Sequence, residues 1–126
     1  MIGGRVLDAS ALLAFATETS VYCSALVWTA VRESIVLVIP STAVAAAWGD
    51  LADKHRPVLE ALLNLHVTII DALDGDRARA VGLLGGPQAD AHAVACAGER
   101  GWPLATAQPD RYADYGRAGV DIEFLP

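Results

Sequence analysis

Positive charge is scarce in this sequence. Its 126 residues hold 9 Lys and Arg against 15 Asp and Glu, a formal net charge of −6, and the single lysine is Lys54. Such a chain repels phosphates as a whole, which excludes nucleic-acid binding through bulk charge. A nucleic-acid function would need a local site, divalent ions or a basic partner. Cysteine is nearly absent: Cys23 and Cys96 show no CxxC spacing and are expected to be free buried thiols. No apolar run reaches the ~20 residues that cross a bilayer. Residues 21–38 come closest, but Arg32 and Glu33 interrupt them. The opening MIGGRVLDAS has no apolar stretch before its first acid, so no signal peptide is expected and the expected compartment is the cytoplasm. Aromatic residues are few, so Ala, Val and Leu must build the core, which implies closely packed helices. There is no P-loop, no GxGxxG and no Ser-His-Asp order. Gly82-Leu-Leu-Gly85-Gly86 reads as the end of a helix rather than a phosphate loop.

Hydrophobic residues supply 54% of the chain and charged ones 19%, which excludes disorder and is enough for one domain with a real core, spanning 1–126. Residues 5–8 read as a strand ending in an acid, and 10–16 as a short helix. Residues 21–34 form a helix apolar nearly all round, expected to be buried. The branched run 35–39 is a central strand closed by Pro40. Ser41 or Thr42 can cap a helix through about residue 53, and Pro57 fits the first turn of another ending near residue 65. A strand at 67–70 follows. Asp74 can cap a helix over 77–84, and 91–100 is helical with Gly101 just beyond its end. A strand at 103–105, a Gln108-Pro-Asp turn, a short helix at 111–117 and a strand at 122–124 complete the chain. Alternating strands and helices predict an α/β domain: a mostly parallel sheet of 4–5 strands with helices on both faces.

Ligands of open parallel sheets bind beyond the carboxyl ends of the strands. The polar residues that follow the predicted strands are Asp8 and Ser10, then Ser41 and Thr42, then Asp71, then Thr106, Gln108 and Asp110. Asp90 opens the helix that feeds the fourth strand, so Asp8, Asp90 and Asp110 can converge at one edge. Converging carboxylates repel one another unless a divalent cation neutralises them. Mg²⁺ and Mn²⁺ prefer such oxygen sites, and a bound ion can activate water and steady a phosphoryl group. That is a physical route to a nuclease.

Each residue also has a plainer reading. Asp8 and Asp90 can be helix caps, Asp110 a turn residue, Gln108 a surface turn residue, and Thr106 a loop anchor. Asp71, Asp74 and Asp76 read as a solvated face and helix starts. His92 points to a different side of its helix from Asp90, and His55 and His66 have no partner at metal-ligand spacing. Trp48 and Trp102 read as core or interface anchors. Trp28 can face another subunit, and the apolar surface around it predicts a homodimer.

Three segments, VLDASALLAF at 6–15, IPSTAVAAAW at 39–48 and QADAHAVACAGERGWPLATAQPDRY at 88–112, resemble PIN domains of the VapC type, the toxins of bacterial toxin–antitoxin pairs. The resemblance implies an endoribonuclease that binds Mg²⁺ or Mn²⁺ through four acids, an antitoxin protein as partner, and RNA as substrate. It carries Asp8 as the first acid with Ser10 beside it, Asp90 as the third, and Asp110 as a further acid beyond the fourth strand. Thr106 and Gln108 stand in support. Ala46 and Gln108 occupy the positions of the second and fourth acids. Alanine has no ligand atom and glutamine offers only a neutral oxygen, so metal binding is expected to be weak. The alternative is a PIN-fold binding module that has lost turnover and acts through a protein partner. A receiver-like domain is a third reading, but it would need paired acids after the first strand and a lysine after the last.

Overall fold

The computed structural model describes residues 3–126. Five strands, β1 (Gly4–Leu7), β2 (Val36–Pro40), β3 (Thr68–Asp71), β4 (Leu104–Thr106) and β5 (Ile122–Phe124), form one sheet in the order β3-β2-β1-β4-β5. Every neighbouring pair is parallel. The helices are α1 (Ala9–Ala16), α2 (Val21–Glu33), α3 (Ser41–Asp50), α4 (Arg56–Leu63), α5 (Gly75–Leu84) and α6 (Gln88–Arg100), followed by a 3₁₀ helix at Pro109–Ala118. The expected α/β class is therefore observed, with five strands.

Alternation along the strands divides the core in two. Leu7, Leu37, Ile39 and Ala105 point to one face, where residues of α1, α2, α3 and α4 cover them. Val6, Val38 and Leu104 point to the other, where Ala93, Val94, Cys96 and Ala97 of α6 pack with Tyr112 of the 3₁₀ helix. Burial on both faces explains why the strands read as continuous apolar runs rather than alternating ones. The small residues of α6 let that helix lie close to the sheet. Cys23 and Cys96 are free and buried, as expected. No single helix among the described residues is long and apolar enough to cross a membrane.

Several local expectations need correction. Helix α2 is buried only along Cys23, Val27 and Ala30, whereas Val21, Tyr22 and Trp28 lie on its outer face, with Trp28 65% exposed. Its apolar residues thus serve a surface as well as the core. Neither Ser41 nor Thr42 caps α3: Pro40 precedes the helix, and Ser41 Oγ instead accepts the Leu73 amide at 3.0 Å. Helix α3 ends at Asp50 rather than near residue 53. Helix α6 begins at Gln88, directly after Pro87, so Asp90 lies inside its first turn and makes no capping bond. An acid there still favours the helix through the macrodipole. Asp8 and Asp74 do cap α1 and α5, accepting the amides of Ala11 and Arg77. Gly101 ends α6 with φ 68°, a left-handed conformation that suits glycine.

Gly4 illustrates a close approach on which strand β1 depends. A methyl group at this position would overlap the Trp102 ring. Gly4→Ala is expected to push that ring off β1 and to destabilise the fold by ~1–3 kcal/mol, as overpacked sites do, measured by urea unfolding. An unchanged midpoint would show that Trp102 moves aside freely.

Candidate functional site

The strand order reverses at β1, which continues to β2 on one side and is flanked by β4 on the other. In parallel α/β sheets a crevice opens at such a point, beyond the strands' carboxyl ends. Asp8 follows β1 immediately and Thr106 ends β4, which places both at this crevice. Asp8 is 3% exposed. Its Oδ1 accepts the Ser10 hydroxyl at 2.7 Å and the Ala11 amide at 2.9 Å. Its Oδ2 accepts the Thr106 hydroxyl and the Tyr112 hydroxyl, each at 2.6 Å. Four donors match the roughly four lone-pair positions of a carboxylate. Backbone amides orient the two hydroxyls in turn, Ala107 donating to Ser10 and Gln108 to Thr106. Burial, and then the charge of Asp8, push the Tyr112 phenol well above its ordinary value, so it stays a donor.

Asp90 reaches the same crevice from α6 and is 7% exposed. Arg111 grips it with both a bidentate and a shared contact: Nε lies 3.2 Å from each carboxylate oxygen and Nη2 3.0 Å from Oδ2. Nη1 of the same guanidinium donates to Gln108 Oε1 at 3.3 Å. The hydrogen bonds to Asp90, above all, raise the Arg111 pKa further.

Asp8, Ser10, Asp90 and Gln108 line one cleft of about 240 Å³, together with Ala46, Asp50 and Arg111. Thr106 stands just behind it through its bond to Asp8. Asp110 is exposed in the first turn of the 3₁₀ helix and does not line the cleft. The helix turns its neighbours Arg111 and Tyr112 inward instead. Sequence reasoning missed three residues. Asp50 lies one turn after Ala46 on the same face of α3, a spacing that could have revealed it. Arg111 and Tyr112 carried no such signal, because their partners are remote in sequence. The oxygen donors of Asp8, Asp50, Asp90 and Gln108 suit a hard divalent cation in kind, although Ala46 adds none.

A second polar cluster lies between α6 and the sheet. Asp71 is buried at the end of β3, not part of a solvated face. Fully buried His92 meets Asp71 Oδ1 through Nε2 at 2.8 Å and Thr42 Oγ1 through Nδ1 at 2.8 Å. A neutral imidazole protonated on Nε2 satisfies both contacts. Arg77 adds bonds of 3.1 and 3.2 Å to Asp71 and also pairs with Glu99, while Arg100 Nη1 sits 3.6 Å from Asp71 Oδ2. Ligand atoms of Asp71, His92 and Cys96 come within 4.8 Å of one another, as a metal cluster would. Two arginines already neutralise this carboxylate, however, and burial followed by the Asp71 charge pushes the Cys96 thiol up to about 12. The arrangement is that of a hydrogen-bonded core network.

Among solved structures, the chain is similar to the VapBC2 structure from Rickettsia felis, described as bound to a DNA fragment from their promoter. The match has a TM-score of 0.71 and 12% sequence identity, covering 98% of this chain and 99% of that one. The fold is PIN-like. No family model and no curated protein sequence matches the chain.

Burial alone would raise the Asp71 carboxyl, but the His92 hydrogen bond and the Arg77 pair override it and hold it below its ordinary value. A depressed carboxyl stabilises the fold above the unfolded-state value of ~3.9 and loses that contribution as pH falls through the folded value. Urea midpoints should therefore drop below about pH 4, and Asp71→Asn should flatten this acid limb. Equal slopes in the two proteins would assign the acid sensitivity to other groups.

Proposed function

We propose that the chain is a VapC-like PIN-domain protein: an endoribonuclease-type toxin whose acidic cleft binds its metal weakly. The observation that carries this reading is the meeting of Asp8 and Asp90 in one cleft at the carboxyl edge of the sheet. Asp8 and Asp90 would hold a Mg²⁺ or Mn²⁺ ion, with oxygens of Asp50 and Gln108 at the same cleft. The ion, when bound, supplies an activated water and neutralises charge on a phosphodiester. Ser10 and Thr106 orient the Asp8 carboxylate toward its task. Asp110 remains outside this set, at the rim of the 3₁₀ helix.

The partner expected for such a protein is an antitoxin, in keeping with the VapBC2 complex to which the fold is similar. RNA is the expected substrate, and the cytoplasm the expected compartment. A homodimer is proposed through the outer face of α2, where Val21, Tyr22 and Trp28 are exposed. Light scattering should give twice the chain mass at tens of micromolar. Trp28→Asp should return it to a monomer, and a native monomer without partner would refute the dimer.

A second reading, an inactive PIN-fold binding module, is favoured by the state of the two acids. Asp8 already accepts four hydrogen bonds and Asp90 is already paired. One experiment separates the two. Restoring both acids with Ala46→Glu and Gln108→Asp is expected to raise Mn²⁺ affinity at least tenfold and to create or increase RNA cleavage. A unit charge pair at 4 Å is worth ~4 kcal/mol at an effective dielectric of 20, before water refills the vacated position. Asp8→Asn is expected to abolish cleavage. Strong native cleavage that the double restoration leaves unchanged would refute the weakened site.

A further inference from the structure

Two consecutive residues of the 3₁₀ helix, Arg111 and Tyr112, engage the two buried acids of the cleft, Arg111 on Asp90 and Tyr112 on Asp8. The two contacts differ in kind. Tyr112 gives Asp8 a neutral donor. Arg111 gives Asp90 a full positive charge, and all side-chain partners of Asp90 among the described residues are atoms of that guanidinium. The same guanidinium also holds Gln108 Oε1. One cation of the chain itself thus binds oxygens of two residues that line the cleft, as an external cation would. The carboxylate side of the pair is desolvated, with the Asp90 side chain 9% exposed, whereas the Arg111 side chain is 48% exposed at the cleft's mouth. Arg111 can therefore swing into solvent without unpacking the core.

We infer that Arg111 is a built-in counter-ion that competes with a divalent cation for Asp90 and Gln108. The inference rests on reading the cleft as a PIN-type acidic site. A guanidinium and a hard cation draw on the same carboxylate charge and lone pairs, so a bidentate arginine on Asp90 weakens its hold on an ion. The competition is uneven in this chain. Ala46 and Gln108 bring no charge to the cleft, so an incoming ion gains less there than in a four-acid site. Arg111 is covalently present and loses only its own side-chain freedom. The cleft is thereby neutralised at Asp90 without a metal, and the ion enters by displacing Arg111.

Mn²⁺ titration calorimetry on the full chain tests this directly. Arg111→Gln and Arg111→Ala are each expected to bind Mn²⁺ at least tenfold more tightly than the native protein. Adding Asp90→Asn to either should remove the gain. Methylguanidinium should weaken Mn²⁺ binding by Arg111→Ala while leaving the native protein unchanged. Circular dichroism melts report folding, and the glutamine variant keeps a polar side chain at the position should the alanine variant unfold. Native and Arg111 variants that bind Mn²⁺ equally, with Asp8→Asn abolishing binding, would overturn the counter-ion while leaving the acidic-cleft reading intact. A gain that survives Asp90→Asn would overturn it too. Failure of every variant to bind, including Ala46→Glu with Gln108→Asp, would remove the acidic-cleft reading and the inference with it.

Discussion

A carboxylate buried at the end of a strand costs several kcal/mol unless its charge is met by donors or by a countercharge, and the carboxyl edge of this sheet is organised around that constraint. Asp8 is the central case. Its four donors come from three places: the start of α1, the end of β4 and the 3₁₀ helix. These are segments that the parallel topology brings together where β1 and β4 run side by side. The carboxylate therefore ties the first element of the chain to the last third of it. A donor lost at any of the three leaves a buried charge partly unmet, which is more damaging than the loss of an equivalent surface bond.

The molecule meets the same constraint at two further acids, each time differently. Asp71 relies on an imidazole and a guanidinium, His92 and Arg77, with Arg100 nearby. That network lies under α6, and Thr42 extends it to the start of α3. Among the described residues, Asp90 relies on Arg111 alone. Asp8 is met by neutral donors, Asp71 belongs to the core, and Asp90 faces the cleft with a countercharge that can leave. Those three solutions separate a chemically available edge from a structural one, although all three residues are aspartates at or near the ends of sheet-facing elements.

The helices follow the same division of labour. Small residues of α6 let it lie against Val6, Val38 and Leu104, and this close packing carries Asp90 and His92 to opposite duties two residues apart. Helix α2, by contrast, buries only a narrow stripe and turns Trp28 outward. A helix apolar nearly all round in sequence reads as a buried one. In a chain this small the sheet offers each helix one face, so the surplus apolar surface of α2 stays exposed on its outer side.

The sequence by itself determined the α/β class, the parallel sheet, the two-faced core and the position of Asp8 at a strand's end. Those features depend on local periodicity and on punctuation by Pro, Gly and acids, which neighbouring residues specify. It also showed that Ala46 and Gln108 bring no charge. Tertiary structure alone decided that α6 begins at Gln88, so that Asp90 faces the cleft from inside the first turn rather than capping it. The same holds for the entry of Asp50, Arg111 and Tyr112 into the site, the exposure of Asp110, and the burial of Asp71 with His92. Each of these depends on contacts between residues far apart in the chain or on the pitch of a 3₁₀ turn. No local pattern encodes which of two adjacent residues, Asp110 or Arg111, such a turn will point inward, because that is fixed by the packing of Tyr112 against the sheet.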